Sequence, residues 1–518
     1  MKRSSRIRKL LEHIGSDLQL RHEPLTLLIL AAVAGEGVFL LGPPGVAKSL
    51  LARRLESAFA GARGFVYLMH RFSTPDELFG PVSISRLKDD DVYERMTLHY
   101  LPEADVIFLD EIWQAGSSIR NTLLTVLNEK MFRNGEREIC VPMKAFVAAS
   151  NHVPEPSGEN DALWDRFLLR YLIEPLREAN AFSNMLTASV PLKVEDSPHA
   201  ISSDEYAIWQ SELAGIEVPR HVLSSIDAMR IRLEQGGDEN FLIHVSDRRW
   251  HKIIHLLRAS AYLNDRLVIE PVDMLLITHC LWNQPQQREQ VHAMVQESIM
   301  DQGLMEYYGV QKLADRVYAH LYELEMPVSD LGADMEDKTI FYRVEGLDNR
   351  FPADSEMGYR WIRIADIHCL NSQGFTLIQV WAGKQHPMYV RLWARKDEND
   401  SGKLWLRSDS MVWLACSDQE RCFPIRVVSD SVDDSALEQP LNVSGTWRSK
   451  ALSLWEEIEA LARICSQRRE ADYASFADHV FVPAPQAEQF FHKGMEHLSV
   501  QMEYLKVALE KARHSAGL

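Results

Sequence analysis

Cysteine is scarce in this chain, and nothing in its placement suggests a disulfide framework or a metal site. The 518 residues contain six cysteines without a C-x-x-C pair, and the 19 histidines do not cluster with acids or cysteines at ligand spacing. Four of the six cysteines lie in apolar runs, which is typical of buried free thiols in a reducing compartment. We therefore expect a cytoplasmic protein without structural disulfides or a zinc site.

Positive charge and long hydrophobic runs are also lacking. The 56 lysines and arginines are outnumbered by 74 acids, which gives a net charge of −18. Because nucleic-acid binding depends on basic side chains that displace counterions, no nucleic-acid partner is expected. The most apolar stretch, residues 25–41, is interrupted by Gly35-Glu36-Gly37, and the basic segment 1–9 has no hydrophobic region close behind it. Neither a transmembrane segment nor a secretory signal is predicted.

The most informative segment that is present is a glycine-rich loop between a short apolar run, residues 38–41, and a helical pattern, residues 50–55. A Gly-x4-Gly-Lys-Ser/Thr loop in this setting wraps phosphates with backbone N–H groups at a helix N-terminus. Lys48 is expected to reach the β- and γ-phosphates and Ser49 to bind Mg²⁺. The residues predicted to bind the nucleotide are Gly42, Pro43, Pro44, Gly45, Val46, Ala47, Lys48, Ser49 and Leu50.

Ala47 departs from the general pattern, in which glycine is usual before the lysine. Alanine tolerates a right-handed helical backbone, so the loop is expected to form with a negative φ at this residue. A proline–glycine turn before an ordinary helix is the alternative interpretation of the whole segment.

A second motif, Val106-Ile107-Phe108-Leu109-Asp110-Glu111, favours nucleotide hydrolysis. Its apolar run is typical of a buried parallel strand that ends in two acids. Asp110 is expected to hold Mg²⁺, usually through water, and Glu111 to orient or deprotonate the attacking water. The alternative is a strand that ends in two solvated acids. Together the two motifs predict an enzyme that binds ATP and Mg²⁺ and hydrolyses ATP to ADP and phosphate.

A third apolar run, residues 145–150, ends at Asn151, and this order of motifs resembles the AAA+ ATPases. Ala47 and the segment Asp165-Arg166-Phe167 make the MoxR branch the closest. Within that branch, residues 71–75, 100–104 and 245–250 resemble the RavA group of regulatory ATPases. The likeness covers about the first 310 residues.

The resemblance implies several site residues. Asn151 would be the first sensor, which positions water against the γ-phosphate. Arg166 would be the arginine finger offered to a neighbouring subunit's ATP, with Arg170 as the alternative. Arg248 would be the second sensor, touching the γ-phosphate in its own subunit, with Arg249 as the alternative.

The resemblance also implies a homohexameric ring and a von Willebrand factor A-domain partner protein. Inducible lysine decarboxylase, held by residues 332–444, is a further candidate partner. The predicted function is a chaperone-like motor that remodels or assembles partner proteins. The alternative is a nucleotide-gated, multivalent adaptor that binds a partner enzyme through its β module without remodelling it. A DNA-acting AAA+ protein is a third hypothesis, which the acidic balance opposes.

The predicted fold class is an α/β AAA+ core with an all-helical lid and a small antiparallel β module inserted in a helical bundle. Residues 83–96 and 131–136 resemble hairpins, with plain surface loops as the alternative for each. The predicted domains are the nucleotide-binding core 1–190, the lid 191–306, a discontinuous helical domain 307–331 and 445–518, and the β-rich partner-binding module 332–444.

Overall fold

A computed structural model describes most of the chain. The described residues are 2–16, 18, 20–89, 91–154, 158–187, 197–234, 243–325 and 445–515, with residue 370 and the segments 341–344, 361–363, 376–381, 389–397, 403–407 and 421–428. They form two compact units. The first comprises 1–226, 245–303 and 470–494, and the second 227–244, 304–469 and 495–518.

The first unit is built on a five-stranded parallel sheet. Its strands are β1 (Gly37–Leu41), β2 (Gly64–Leu68), β3 (Val106–Asp110), β6 (Ala145–Ser150) and β7 (Phe167–Leu172), and the hairpin β4 (Met131–Asn134) and β5 (Arg137–Cys140) lies outside the sheet. The order across the sheet is β2-β3-β6-β1-β7. All residues of β1 and β6 are buried, as expected of apolar strands at the centre of a parallel sheet. The carboxyl ends of β1, β3 and β6 therefore meet at one edge.

Helices surround this sheet and form the lid. They are α1 (Arg3–Gly15), α2 (His22–Ala34), α3 (Lys48–Glu56), α4 (Pro75–Phe79), α5 (Ile84–Asp89), α6 (Ser117–Glu129), α7 (Gly158–Trp164), α8 (Ala179–Thr187), α9 (Ser203–Glu212), α10 (Arg220–Glu234), α11 (Asp247–Leu263), α12 (Thr278–Leu281) and α13 (Arg288–Ser298). The short helix α14 (Met305–Tyr307) belongs to the second unit. Short 3₁₀ turns span Leu101–Glu103, Ile112–Gln114, Leu213–Gly215, Asp273–Ile277 and Pro285–Gln287, and a π-helix spans Ile299–Leu304.

The second unit contains a closed antiparallel barrel between long helices. The helices are α15 (Val310–Glu325), α16 (Gly445–Ala477) and α17 (Ala484–Ser515). The barrel strands are β8 (Phe341–Val344), β9 (Trp361–Arg363), β10 (Thr376–Trp381), β11 (Tyr389–Lys396), β12 (Lys403–Arg407) and β13 (Arg421–Val428), paired in the order β10-β11-β12-β13-β8-β9. The predicted fold class is thus confirmed, from the α/β core to the inserted β module.

The turn between α16 and α17 belongs to the first unit, where it docks on the lid through a buried polar cluster. His479 lies 3.0 Å from Asp273, whose carboxylate also receives two hydrogen bonds from Arg266 at 2.6 and 2.9 Å. His479 Nδ1 accepts backbone N–H groups of Phe481 and Val482, so Nε2 is left to donate to the carboxylate. These contacts fix the end of a long helical pair on the lid.

One of the two predicted hairpins is confirmed. Strands β4 and β5 pair as expected, and Gly135 turns between them with a φ of 62°. The hairpin predicted over residues 83–96 is wrong, because Ser83 starts the short helix α5 instead: its hydroxyl accepts the N–H of Arg86 at 3.4 Å. The two ends of the segment still pair antiparallel, through a bridge between Val82 and Arg95 and backbone hydrogen bonds from Ser83 to Glu94 and from Met96 to Pro81, both at 2.8 Å.

In the parts of the chain that the structure describes, no helix is both long enough and apolar enough to span a lipid bilayer.

A candidate nucleotide-binding site

The glycine-rich loop joins the end of β1 to the start of α3, as the sequence predicts. The N–H of Gly42 donates to the carbonyl of Ser150 at 3.1 Å, which ties the loop to the end of β6. A Cβ on Gly42 would lie 2.5 Å from the carbonyl oxygen of Ile173, so this close approach requires glycine. Gly45 has a φ of 82°, in the left-handed region that glycine adopts without strain. Both glycines are therefore required by the local backbone.

Ala47 differs from the expected conformation. Its φ is 73° and its ψ is 22°, so alanine occupies a left-handed position immediately before the first turn of α3. This conformation costs an L-residue roughly 1–2 kcal/mol. The expected negative φ was wrong, because the turn into α3 needs a left-handed residue whatever its side chain. Strain of this kind concentrates at functional sites.

Lys48 is buried, and its ammonium group is held by three acceptors. Its Nζ donates to the carbonyl of Gly42 at 2.6 Å, to the carbonyl of Ser150 at 3.3 Å and to Oδ1 of Asn151 at 2.9 Å. Burial lowers the pKa of Lys48, and the nearby charges of Asp110 and Glu111 oppose that shift. A desolvated cation is thus fixed between the loop and the end of β6.

The two acids lie at the end of β3, half-buried and directly facing β6. Oδ1 of Asp110 accepts the N–H of Glu111 at 3.0 Å, and the Ser150 hydroxyl donates to Oε2 of Glu111 at 3.0 Å. Glu111 has a φ of 51°, a second left-handed non-glycine residue at this site. The hydrogen bond from Ser150 fixes one carboxylate oxygen of Glu111, a residue that lines the cavity described next.

These residues surround a cavity of about 410 Å³. It is lined by Pro44, Gly45, Ala47, Lys48, Ser49, Leu50, Leu68, Asp110, Glu111 and Asn151. Gly42, Pro43 and Val46 belong to the loop but do not line the cavity. Leu68 was missed by the sequence reasoning, although it ends β2 next to Asp110, and carboxyl ends of neighbouring parallel strands share one edge.

The donor chemistry of the cavity fits Mg²⁺ bound together with phosphates. The Ser49 hydroxyl and the Asp110 carboxylate supply the oxygen ligands that Mg²⁺ prefers. Among the described residues no group of three or more His, Cys, Asp or Glu could form an all-protein metal cage. Mg²⁺ is usually held by one or two carboxylates plus substrate phosphates, which is the arrangement available here.

The structure does not bring Arg166 to this cavity. It immediately precedes β7, and the register pairs Phe167 with Gly37 at the start of β1. The glycine-rich loop follows the other end of β1, and a five-residue strand spans roughly 13–17 Å. Arg166 therefore lies at the opposite edge of the sheet from its own chain's phosphate loop.

Arg248 lies at that same far edge. Its guanidinium is 3.3 Å from Oδ1 of Asn128 and 3.5 Å from Oδ2 of Asp165, and its side chain is 40% exposed. The same subunit's cavity is thus out of its reach in this structure. Arg166 and Arg248 are brought together with each other rather than with Lys48.

The two alternative arginines are buried, and their guanidinium groups are held by hydrogen bonds within the protein. Arg170 donates to the carbonyl of Trp282 at 2.5 Å and to Oδ1 of Asn283 at 2.6 Å, and it stacks over the Trp164 ring. Arg249 donates to three backbone carbonyls, those of Cys280, Phe167 and Leu168, at 2.7, 3.2 and 3.1 Å. Both arginines join the lid to β7, so neither is available to a ligand.

Comparison with known proteins adds a family to this geometry. Residues 5–210 match the family described as the MoxR domain in the MoxR-vWA-beta-propeller ternary systems, and residues 221–295 match the AAA lid domain.

Relatives and a solved structure are also similar to this chain. The Uncharacterized protein MJ0812 of Methanocaldococcus jannaschii is 35% identical over 280 residues, which are 54% of this chain and 72% of that protein. The Uncharacterized protein MJ0079 of the same organism is 34% identical over 278 residues, which are 54% of this chain and 70% of that protein. A crystal structure from Cytophaga hutchinsonii is 16% identical, covers 57% of this chain and 94% of that one, and has a TM-score of 0.46. The two domain matches and the identity to MJ0812 show that this chain belongs to the MoxR family of AAA+ ATPases.

Proposed function

We propose that this chain is an ATP-hydrolysing motor of the MoxR type, which works as an oligomeric ring and remodels or assembles partner proteins. The observation that carries this proposal is the single cavity that unites Lys48, Ser49, Asp110, Glu111 and Asn151. Phosphoryl transfer to water needs a cation that binds the phosphates, oxygen ligands for Mg²⁺ and an acidic residue that activates the water.

Each residue has a distinct task in this scheme. The loop amides and the N-terminus of α3 bind the phosphates, and Lys48 turns from Asn151 and the loop carbonyls toward the outer phosphates. Ser49 and Asp110 would hold Mg²⁺, which when bound neutralises charge on the phosphates. Glu111 accepts a proton from water or orients it through Oε1, because Ser150 already donates to Oε2.

Arg166 and Arg248 act on the nucleotide of a neighbouring copy in this proposal. Both lie at the amino edge of the sheet, while their own chain's cavity lies at the carboxyl edge. In a head-to-tail ring each contact pairs two different surfaces of adjacent copies, so the amino edge of one copy can face the carboxyl edge of the next. Arg248 would then work between subunits, not within one as its sequence resemblance implies. An arginine supplied to a phosphoryl group in this way is worth roughly 10³–10⁵ in rate in GTPases.

A von Willebrand factor A-domain protein is the partner with independent support, because the matched family takes its name from MoxR-vWA-beta-propeller systems. A hexameric ring, a cytoplasmic location, a RavA-like role and lysine decarboxylase as a client of residues 332–444 stay predictions from the resemblance. So do the predicted domain boundaries.

The proposed activity is tested with two substitutions. Lys48→Ala should abolish ATP binding and turnover, since the phosphates lose their buried cation. Glu111→Gln should still bind ATP, while kcat falls roughly 10²–10⁴-fold with the loss of the water-activating acid. Glu503→Gln, at an exposed position of α17, is the matched control and should leave kcat unchanged. ATP consumption by Lys48→Ala at the wild-type rate would refute the proposal.

A nucleotide-gated adaptor is the second candidate, and the closed barrel β8–β13 favours it. The barrel belongs to a different compact unit from the sheet that carries the nucleotide cavity. The Glu111→Gln variant separates the two candidates, because an adaptor keeps partner binding and partner function in ATP without turnover. A motor retains binding but loses the change in its partner. The matched test is partner capture by a variant that lacks residues 332–444.

A further inference from the structure

The carboxylate of Asp165 lies among three arginines at the amino edge of the sheet. Its Oδ1 is 3.5 Å from Nη1 of Arg249, and its Oδ2 is 3.5 Å from Nη2 of Arg248 and 3.9 Å from Nη1 of Arg166. The Ser246 hydroxyl also lies 3.3 Å from Oδ2. One acid thus links the residue that precedes β7 with the first turn of α11.

One side of Asp165 is anchored. Arg249 is buried and donates to three backbone carbonyls, so its guanidinium cannot move away from Oδ1. Ser246 is the N-cap of α11 and accepts the N–H of Arg249 at 3.3 Å. The position of the carboxylate is therefore set jointly by β7 and by the start of the lid helix.

The other side of Asp165 faces Arg166, which is partly buried, and Arg248, which is exposed. The side chains of Arg166 and Arg248 are 20% and 40% exposed. Their contacts to Oδ2 are longer than the 2.7–2.9 Å of a strong charge-assisted hydrogen bond, so most of their donors remain available. Within the described residues, Nε of Arg166 is buried without a hydrogen-bond partner.

The charge at this position is unusual for the molecule. Three guanidinium groups face one carboxylate, whereas the whole chain has a net charge of −18. Glu36 is the next acid close enough to interact with Arg248, and it pairs directly with Lys252 instead. Two adjacent guanidinium groups that are at least partly accessible suit a polyanion with several oxygens, and arginine binds phosphate in a bidentate way.

We propose that Asp165 is a positioning residue: it holds Arg166 and Arg248 side by side so that both reach the triphosphate of a neighbouring copy. The inference rests on the proposed ATPase function and on its active site between subunits. Two guanidinium groups repel each other, and the shared carboxylate offsets that repulsion. Because Asp165 is also anchored to the lid helix α11, Arg166 and that helix move together.

The test compares Asp165→Asn with Asp165→Glu. The asparagine variant keeps the size of the side chain but removes its charge, so the two arginines separate and kcat should fall roughly 10–100-fold. ATP binding to the variant's own cavity should stay within about twofold of wild type, because Lys48 and Ser49 are untouched. Asp165→Glu restores the charge and should recover most of the lost kcat. Equal loss in both variants, or none in Asp165→Asn, would overturn the proposal.

Mixed rings separate this positional role from a folding defect. Asp165→Asn and Glu111→Gln chains are co-expressed with different tags and isolated as mixed assemblies. In a mixed ring, a cavity with an intact Glu111 can lie next to a copy with an intact Asp165, and that cavity should hydrolyse ATP. The ATPase rate of the mixture should therefore exceed the rate of each single variant several-fold. Arg166→Ala with Glu111→Gln is the positive control. Recovery in the control but not with Asp165→Asn contradicts the positioning role, whereas wild-type rings without ATPase activity would instead refute the proposed function.

Discussion

At the scale of single residues, two non-glycine residues of the cavity have left-handed backbones. Ala47 precedes Lys48 with a φ of 73°, and Glu111 follows Asp110 with a φ of 51°. Each conformation is held by its surroundings: the turn into α3 fixes Ala47, and the hydrogen bond that the N–H of Glu111 donates to the Asp110 carboxylate fixes Glu111. The backbone strain thus lies at Ala47, which positions the phosphate-binding Lys48, and at Glu111, the proposed water-activating acid.

Ala47→Gly should therefore stabilise the protein. Glycine removes the left-handed strain of roughly 1–2 kcal/mol, while its greater freedom in the unfolded chain costs about 0.4–1 kcal/mol. We expect a net gain of about 0.5–1 kcal/mol in the free energy of unfolding of the first unit, measured by urea denaturation. Ala52→Gly in the interior of α3 is the matched control, and it should lower stability by about 1 kcal/mol. Equal destabilisation by both substitutions would show that Ala47 is not strained.

At the scale of secondary-structure elements, the sequence predicts the cavity well and the amino edge poorly. Gly42, Glu111 and Asn151 directly follow the strands β1, β3 and β6, and parallel strands bring their carboxyl ends to one edge. That arrangement depends only on short motifs and on strand direction. The position of Arg248 depends instead on how α11 docks against β7, which is a long-range contact made through Arg249 and Asp165. No local sequence pattern predicts this contact between α11 and β7.

The lid also contains histidines that burial keeps neutral. His279 of α12 lies 3.8 Å from Glu23, yet burial lowers its pKa from 6.5 to about 4, and Arg288 and His292 shift it in the same direction. In the unfolded chain His279 therefore binds a proton as the pH falls below 6.5, whereas in the folded chain it binds one only near pH 4. This group's contribution to stability is fully present above pH 6.5 and is lost as the pH falls.

Acidification from pH 7 to pH 5 should destabilise the first unit, and His279→Gln should reduce that loss. Each pH unit inside the window costs about 1.4 kcal/mol per histidine. Burial also lowers the pKa of His255, His292 and His479, so part of the slope will remain in the variant. The measurement is the free energy of unfolding at pH 7, 6 and 5 for both proteins. Identical slopes would contradict the assignment to His279.

At the scale of the whole molecule, charge opposes self-association while one edge of the sheet favours it. Copies with a net charge of −18 repel one another, and bound triphosphate adds further negative charge at the cavity. The arginines beside Asp165 lie at the opposite edge of the sheet, where they can meet that triphosphate on a neighbour. Nucleotide should therefore act as the bridge between adjacent copies, and assembly should depend on it.

Sedimentation velocity of the Glu111→Gln protein measures this dependence, because ATP persists when turnover is blocked. With Mg²⁺ and ATP we expect a larger assembly than without nucleotide. Adding Arg166→Ala and Arg248→Ala should reduce that ATP-dependent fraction at least tenfold, since both guanidinium groups facing the neighbour's phosphates are gone. Adding Arg177→Ala and Arg137→Ala instead, at arginines with side chains 81% and 73% accessible, removes the same two charges elsewhere and should leave assembly intact. A specific bridge through Arg166 and Arg248 predicts that assembly is lost when these two arginines are replaced and is kept in the control. Equal losses of assembly in the two proteins would show that assembly depends on net charge instead.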